Sequence, residues 1–363
     1  MPARLPRLHP LLLPLLLSLP LAGCGMVTLA PSGDIAARQG DLIIVSTVLM
    51  LLIVVPVMVL TGWFAWHFRA SNQKANHDPD WHHSTALELV IWSAPLLIVI
   101  MLGAVTWIST HTLDPFRKLD RIAEGRPVPE GVRPLKVQVV ALDWKWLFIY
   151  PDYGIASVNE MAAPVDVPIE FQITSSTVMN SFFVPALAGQ IYAMPAMETR
   201  LHAVINKAGD FEGFSANYSG AGFSHMRFNF KGMDGEGFDR WVAQVRESNT
   251  ELGRGEYLQL ENPSAREPVR HYGKTMAGLY DAVLNLCVEP TKMCQRDMAA
   301  IDARGGLGLA NVYNVTRLRH DADRSHSLTP ATSDYVAALC SVPSDVTASP
   351  VDPAFYGSRR LAP

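Results

Sequence analysis

Two long stretches near the N-terminus, residues 42–68 and 89–110, contain no aspartate, glutamate, lysine or arginine. A helix of about 20 mostly apolar residues is long enough to cross the hydrocarbon core of a bilayer, and it satisfies its own backbone hydrogen bonds there. A much more polar chain follows the second stretch. The pattern therefore predicts a two-helix transmembrane hairpin over residues 41–111 that carries a large domain outside the bilayer.

A third apolar run, residues 11–22, follows Arg4 and Arg7 and is too short to span a membrane. A basic start, a short apolar run and an exit of small residues are typical of a secretory signal peptide. The exit reads Leu-Ala-Gly-Cys, which looks like a bacterial lipoprotein signal. We expect residues 1–23 to be removed and Cys24 to carry lipid. An ordinary signal peptide with an incidental cysteine is the alternative.

A mature N-terminus outside the cytoplasm fixes the rest of the topology, because two crossings return the chain to its starting side. Residues 24–40 and the large domain are then periplasmic, and the protein is a two-pass protein of the bacterial inner membrane. The basic residues give mixed support, since Arg69 and Lys74 lie in the loop between the spans but Arg117 and Lys118 follow the second span. Long domains cross largely regardless of charge, so the signal peptide decides the orientation.

After a linker at residues 112–133, the pattern changes to short β-type runs separated by glycine, proline and asparagine, as in an antiparallel sandwich over residues 134–235. Phe238, Trp241, Val242 and Val245 then lie at helical spacing, which predicts a helix at the start of a C-terminal extension, residues 236–363. The end of this extension is expected to be loose. The candidate strands are 135–150, 169–174, 182–184, 199–205, 211–216 and 226–230.

Charge and cysteine content narrow the possibilities further. The formal net charge is −4 and nothing in the chain suggests a nucleic-acid partner. Beside Cys24 there are three cysteines, Cys287, Cys294 and Cys340, in a compartment that permits disulfides. A bridge between Cys287 and Cys294 is plausible, and three buried free thiols are the alternative, because a sequence alone does not give connectivity.

Four segments carry a resemblance to a known family. They are residues 85–95 (TALELVIWSAP), 143–150 (DWKWLFIY), 178–185 (VMNSFFVP) and 215–226 (SANYSGAGFSHM). With the order of the domains, they make the chain similar to subunit II of the haem-copper respiratory oxidases. The resemblance implies a transmembrane hairpin followed by an all-β cupredoxin-like Greek-key sandwich, with a helical extension at the C-terminus.

In the cytochrome c oxidases of this family, the last two segments hold a dinuclear copper centre, which needs bridging thiolates and imidazoles. Here the first histidine position is Asn180, the two cysteine positions are Ser215 and Ser219, the glutamate position is Asn217, and the second histidine position is Phe223. Of the ligand set the chain retains only Met226. His225 is a poor substitute without thiolates. The resemblance therefore predicts no metal and no cofactor in this chain.

Because it lacks the copper ligands, the chain resembles the quinol oxidase branch of the family, and the bo type in particular. That branch implies a complex that oxidises ubiquinol, reduces oxygen to water and pumps protons. Its haems and copper are expected in a partner, subunit I, with further oxidase subunits and membrane lipid as other partners. This chain would be a non-catalytic subunit. The alternatives are a true cytochrome c oxidase subunit II, or a membrane-anchored periplasmic lipoprotein that binds a partner outside respiration.

Glu88 matches the family carboxylate at the cytoplasmic entrance of a proton pathway, and a carboxylate at a membrane boundary can pass protons to a buried polar chain. Thr85 and Glu88 also fit a capping box at a helix start, and the two roles can coexist. His77, His82 and His83 in the same loop are expected to be solvated, with proton collection as the alternative.

Aromatic side chains alternate along the segment at residues 143–150. Trp144, Trp146, Phe148 and Tyr150 are expected to share one face of a strand, because successive side chains of a strand point to opposite faces. Large aromatics dominate cores and interfaces, so this face is predicted to be a core or a subunit contact.

Overall fold

The computed structural model describes residues 27–75 and 80–303. The predictions for the signal peptide, Cys24, His77, Cys340 and the end of the chain lie outside the described residues. Residues up to 299 belong to one compact unit and those from 300 onward to another. Of the second unit, the structure describes little beyond the end of one helix.

The described chain contains six α-helices and fifteen short strands. The helices are α1 (Asp34–His67), α2 (Thr85–Thr112), α3 (Gly235–Arg246), α4 (Arg254–Glu261), α5 (Leu279–Leu284) and α6 (Gln295–Asp302). The strands are β1 (Arg121–Ala123), β2 (Arg126–Pro127), β3 (Leu135–Leu142), β4 (Lys145–Tyr150), β5 (Ile155–Val158), β6 (Glu160–Pro164), β7 (Ile169–Ser175), β8 (Asn180–Phe183), β9 (Ile191–Ala193), β10 (Thr199–Ala203), β11 (Gly209–Ser215), β12 (Arg227–Met233), β13 (Glu251–Leu252), β14 (Arg270–Tyr272) and β15 (Lys274–Thr275).

The two predicted spans are helices α1 and α2, both long and apolar enough to cross a membrane. Helix α2 extends beyond its uncharged stretch at both ends, whereas α1 begins before its stretch and ends at His67, one residue before the stretch ends. Their apolar side chains remain exposed along their length, with Trp92 76% and Leu89 66% exposed. Large exposed apolar surfaces are unfavourable in water, so the apolar faces of α1 and α2 are available to contact lipid or other subunits.

The predicted β-sandwich is confirmed as two packed sheets. One has the order β10-β7-β3-β4-β5-β14 and the other β6-β12-β11-β8-β9. Two pairs are parallel, β3 with β7 and β6 with β12, so the expectation of purely antiparallel pairing is wrong. A strand's own residues indicate that it is a strand, but they do not identify its partner or the partner's direction.

Several strand boundaries differ from the prediction. The candidate strand at 135–150 is two strands, because the chain reverses at Asp143 and Trp144 and β3 pairs with β4. Trp144 lies in this turn with a φ of 65°, so it is not part of the strand that carries Trp146, Phe148 and Tyr150 as predicted, although its side chain packs against the same core. Strands β5 and β6 were missed because their side chains are buried on both faces and lack alternation.

The core lies between the two sheets and contains Trp146, Phe148 and Tyr150, which confirms the predicted core role of these aromatics. The ring of Phe148 packs against Phe228 at 4.9 Å between centroids. Helix α3 covers one end of this core through the four side chains predicted at helical spacing, all of which are buried. This prediction is confirmed.

A second core lies on the outer face of the six-stranded sheet. Leu147 and Ile149 of β4 pack there against Tyr257, Leu279 and Val283 of the C-terminal extension. Strand β4 is therefore buried on both faces. The extension up to Val288 is a packed part of the domain, so its lack of a readable sequence pattern did not indicate a lack of structure.

The segment before the first span is attached to the sandwich. The N–H groups of Ser32 and Gly33 donate to the carbonyl oxygen of Ala186 at 3.0 and 2.9 Å. The buried carboxylate of Asp34 accepts hydrogen bonds from Arg121, with N···O distances of 3.0 Å. The start of α1 is therefore fixed to the same domain that follows the end of α2.

Candidate functional site

The positions that correspond to the family's copper ligands come together at one end of the five-stranded sheet. Strand β8 pairs with β11, so that Phe182 lies opposite Ser215, and the N–H of Ala216 donates to the carbonyl oxygen of Ser181 at 3.0 Å. The loop of residues 216–226 then returns to the start of β12. The resemblance placed these segments side by side, and the structure does so as well.

Asn180 and Ser215 form a buried hydrogen-bonded pair where the family has metal ligands. Their exposed fractions are 0% and 3%, and the Ser215 hydroxyl lies 3.1 Å from Asn180 Oδ1. The same hydroxyl lies 3.2 Å from the carbonyl oxygen of Asn217 and 3.4 Å from the donating N–H of Ser181. The side-chain amide of Asn217 donates to the carbonyl oxygen of Met179 at 3.2 Å. These polar groups satisfy one another, as buried polar groups must.

The other three copper-ligand positions, Ser219, Phe223 and Met226, make weaker side-chain contacts with one another. Ser219 Oγ lies 4.0 Å from Met226 Sδ, which is a weak contact, and Met226 is fully buried in the core. Phe223 begins a single 3-10 turn that ends at His225, and its ring contacts that of Tyr218 at 5.6 Å. His225 Nε2 accepts a hydrogen bond from Arg266 at 3.2 Å.

Trp144 supports this loop from below. Its indole N–H donates to the carbonyl oxygen of Ser219 at 3.0 Å. A Cβ at Gly222 would lie 2.3 Å from the indole ring, so only glycine lets the loop approach this closely. The aromatic turn residue is therefore a platform for the loop, a role that the alternating pattern did not indicate.

The side chains at these positions do not fit a copper centre. Copper of the dinuclear kind needs soft thiolates and imidazoles, whereas this set supplies amides, hydroxyls, a phenyl ring and one thioether. Over residues 27–75 and 80–303, no group of three or more histidine, cysteine, aspartate or glutamate side chains is arranged so that it could hold a metal ion. What the arrangement can do is hold two loops in a fixed conformation by hydrogen bonds.

We predict that Asn180→Ala destabilises the protein by about 1–3 kcal/mol, because it leaves the buried Ser215 hydroxyl without its side-chain partner. Thermal unfolding of the full-length chain measures this cost. Ser219→Ala is the matched control and should cost less than about 0.5 kcal/mol, since its hydroxyl makes only the weak contact with sulfur. Equal losses from the two variants would contradict a structural role for the buried pair.

Glu88 lies at the start of α2, but the capping box predicted with Thr85 is wrong. The N-cap is Ser84, whose hydroxyl accepts from the N–H of Leu87 at 3.5 Å. Glu88 is one residue too late to complete a capping box with Ser84. Its Oε1 instead lies 2.7 Å from His83 Nδ1, and His83 Nε2 lies 3.1 Å from the Thr85 hydroxyl.

The His83–Glu88 pair is accessible to water, with side-chain exposures of 57% and 47%. His83 is thus paired, and neighbouring His82 lies 2.6 Å from the carbonyl oxygen of Asp80 through Nδ1. A carboxylate and an imidazole in contact can exchange a proton with each other and with water. The pair lies at the end of the spans away from the sandwich.

A buried ionic cluster around Glu160 was missed by the sequence analysis. The carboxylate is 8% exposed and lies 2.7 Å from Lys231 Nζ; it accepts a hydrogen bond from Trp241 Nε1 at 2.9 Å. His271 Nε2 lies 2.9 Å from the same Oε1 atom. Burial by itself raises the pKa of the Glu160 carboxyl, but the hydrogen bonds from its three partners outweigh burial, so the pKa lies below its ordinary value.

Lys145 forms a second buried connection that the sequence did not reveal. Its ammonium group donates to the carbonyl oxygen of Asn262 at 2.8 Å and to the hydroxyl of Ser264 at 2.6 Å. Burial lowers the pKa of this lysine. In the extension that contains Asn262 and Ser264, Cys287 and Cys294 form a disulfide, with 4.7 Å between their Cα atoms. Both features hold the extension in a fixed shape.

Family models match two parts of the chain. The model described as the periplasmic domain of cytochrome c oxidase subunit II matches residues 154–232, and the COX aromatic-rich motif matches residues 246–291. The first match includes the copper-ligand positions and identifies the sandwich as the cupredoxin-like domain that was predicted. The second covers most of the packed extension.

Relatives match over a longer span. The chain is 47% identical over 282 residues to the cytochrome bo(3) ubiquinol oxidase subunit 2 of Pseudomonas putida, which covers 78% of this chain and 87% of the relative. It is 44% identical over 264 residues to the ubiquinol oxidase subunit 2 of Acetobacter aceti, which covers 73% of this chain and 83% of the relative.

Solved structures also match the chain, and one of them matches about a third of it. It is the periplasmic domain of subunit II of cytochrome oxidase from Bradyrhizobium japonicum, 26% identical, with a TM-score of 0.31. The match covers 33% of this chain and 97% of that chain.

Proposed function

Because this chain belongs to the family of subunit 2 of the cytochrome bo(3)-type ubiquinol oxidases, we propose that it anchors and stabilises its oxidase without carrying electrons. It is a subunit of a haem-copper ubiquinol oxidase complex. The observation that carries the proposal is the buried Asn180–Ser215 pair in place of metal ligands. With no thiolate or imidazole at the ligand positions, this domain lacks the groups that a dinuclear copper electron acceptor needs.

Electron transfer then belongs to a partner, subunit I, which we propose holds the haems and copper and receives electrons directly from ubiquinol in the bilayer. The exposed apolar faces of α1 and α2 support a membrane partner. They include side chains more than half exposed, such as Met58, Val59, Leu97 and Trp107. Such faces pack against lipid or other transmembrane helices.

We place the sandwich on the periplasmic side of the bacterial inner membrane, with residues 1–23 removed as a signal peptide and Cys24 carrying lipid. The geometry supports a hairpin, because both the start of α1 and the end of α2 lie against the sandwich. Asp34 pairs with Arg121, and the N–H of His202 donates to the carbonyl oxygen of Pro115 at 3.1 Å. The loop between the spans is then cytoplasmic.

By the family resemblance, Glu88 corresponds to the carboxylate at the cytoplasmic entrance of a proton pathway. We propose that the His83–Glu88 pair takes up protons from the cytoplasm for the oxidase. The support is its accessibility, its contact distance of 2.7 Å and its position at the start of an apolar span. A carboxylate at such a boundary connects bulk water to polar groups within the membrane.

The two loops that contain the copper-ligand positions also expose apolar side chains to solvent. Val178, Met179 and Tyr218 are 43%, 40% and 75% exposed, and the hydrogen bond from Asn217 to Met179 holds the two loops adjacent. We call these three residues the loop patch. Exposed aromatic and methionine side chains are enriched at protein interfaces, so we propose that the loop patch contacts subunit I.

Replacing the loop patch tyrosine and methionine together, Met179→Asp with Tyr218→Asp, is expected to reduce recovery of the partner subunit about tenfold. Two charges in a desolvated contact cost at least one order of magnitude in affinity. Val269→Asp is the control, since Val269 is also exposed, at 43%, and lies outside the patch. The measurement is haem recovered with the affinity-tagged chain. Unchanged recovery for the double variant would remove the patch from the interface.

Purification of the tagged chain from membranes tests the proposed function as a whole. The proposal predicts that a haem-containing subunit is recovered with the chain and that the preparation consumes oxygen with ubiquinol. Oxidation of cytochrome c with copper bound to this chain would instead identify a cytochrome c oxidase. Recovery of neither activity would favour a lipoprotein that acts outside respiration.

A further inference from the structure

A cavity and a groove meet at the end of the hairpin that faces the sandwich. The cavity has a volume of about 70 Å³ and lies where the first turns of α1 meet the linker after α2; its lining includes Arg38, Arg117 and Lys118. About 15 Å³ of such volume holds one water. The cavity therefore has room for a group of several heavy atoms, such as a phosphate.

The groove has a volume of about 350 Å³ and runs down between the two spans. It is lined by apolar side chains of both helices, Leu42 and Val45 of α1 and Val105 and Ile108 of α2. Arg38, Thr112 and Leu113 line both the cavity and the groove. The two spaces are therefore adjacent, with a polar space at the sandwich and an apolar one between the membrane spans.

Two of the three cations at the polar end, Arg38 and the exposed Lys118, are not neutralised by acidic side chains of the described residues. Among residues 27–75 and 80–303, Arg38 and Lys118 have no hydrogen bond or ion pair. Of the acids that line the cavity, Asp120 pairs with Arg117 at 3.6 Å and Asp114 accepts the N–H of Phe116. Asp41 lines the groove together with Arg38, but within the part of the chain that the structure describes the two side chains form no ion pair. A half-buried guanidinium without a partner is unfavourable, so an anionic group from outside the chain would complete the cavity.

We propose that this space binds one phospholipid, with its phosphate at Arg38 and Lys118 and an acyl chain in the groove. The phosphate supplies the missing anion, and guanidinium–phosphate contacts are among the strong charge-assisted hydrogen bonds. The acyl chain covers the apolar side chains that the two helices leave open. Asp41, which lines the groove near Arg38, lies where it can meet the ammonium of phosphatidylethanolamine. The inference rests on the proposed membrane placement and not on the role of Glu88.

Native mass spectrometry of the assembled oxidase tests the site. The oxidase is reconstituted in nanodiscs of phosphatidylethanolamine and phosphatidylglycerol in equal parts, released in mild detergent, and its retained phospholipid is counted. The double variant Arg38→Gln with Lys118→Gln should retain this lipid about tenfold less than the unaltered oxidase, because two charged contacts are lost. Haem content and oxygen uptake should be unchanged, which separates this test from that of the proposed function.

A control double variant, Arg240→Gln with Lys136→Gln, removes the same charge from exposed positions of the sandwich domain and should retain lipid normally. Equal lipid retention in all three proteins would overturn the proposal. A photoreactive residue in place of Val45 gives an independent readout. Its crosslink to a phospholipid is expected, whereas a crosslink to another oxidase subunit or to ubiquinol would assign the groove to that occupant and contradict us.

Discussion

Glu88→Gln is expected to slow ubiquinol-dependent oxygen uptake of the assembled oxidase by roughly tenfold. Glutamine retains the shape of the side chain but cannot release a proton, and positioned proton-transfer groups contribute about 10²–10⁴-fold in rate. The expected effect is smaller because water near this exposed residue also reaches the membrane boundary. His83→Gln should give a smaller loss, since it removes the imidazole 2.7 Å away and leaves the carboxylate in place.

A variant of the helix cap is the matched control for Glu88→Gln. Because Ser84 and not Glu88 caps α2, Ser84→Ala removes the cap, at a cost of about 1 kcal/mol, and leaves the proton-exchanging pair intact. We expect Ser84→Ala to turn over normally. Oxygen uptake and proton release are measured on complexes with equal haem content. Normal rates in Glu88→Gln would exclude proton uptake at this residue.

Glu160→Gln is expected to destabilise the full-length chain by about 2–3 kcal/mol. The substitution removes the charge that Lys231 and Trp241 contact inside the domain, and breaking a buried ion pair leaves its partner uncompensated. The estimate is reduced because Lys231 is about one-third exposed and can turn towards water. Thermal unfolding followed by tryptophan fluorescence measures the loss.

Glu212→Gln is the matched control, because Glu212 forms a similar ion pair with Arg227 but both side chains are more than half exposed. Its expected cost is below about 0.5 kcal/mol. The pKa of Glu160 is lowered in the folded protein, so its stabilisation is fully present above the ordinary value of 4.5 and is lost as the pH falls through the folded pKa. The difference between the variant and the unaltered chain should therefore shrink in acid. A difference that grew in acid would contradict this account.

The membrane spans and helix α3 could be predicted because their signal lies in neighbouring residues. An uncharged run or four apolar residues at helical spacing indicate a helix without knowledge of its partners. The start of α1 was harder to predict from the sequence. It begins at Asp34, before the uncharged stretch, because Asp34 pairs with Arg121, and that partner is distant in sequence.

The strands were harder to predict because their burial depends on partners that are distant in sequence. Strand β4 is buried on both faces by two separate cores, so its alternation of aromatic and aliphatic residues reports two packed surfaces. The turn at Trp144, with its positive φ, is not a position where sequence favours a tight reversal, since a bulky residue rarely adopts this conformation. At this position the indole donates a hydrogen bond to Ser219 and packs against Gly222, both in the loop that covers it.

The candidate site was predicted in part. The resemblance identified Asn180 and Ser215 as positions without metal ligands, and the structure brings them together. It could not reveal that they bond to each other. Nor could it reveal the Glu160 cluster or the contact of Lys145 with Asn262, because these join residues from distant parts of the chain.

Anomalous diffraction from the assembled oxidase at the copper absorption edge tests the central claim most directly. We predict no copper peak within bonding distance of Ser215, Ser219 or Met226, because these positions supply no thiolate or imidazole to hold the metal. A peak between these residues at full occupancy would contradict the account and assign an electron-carrying role to this chain.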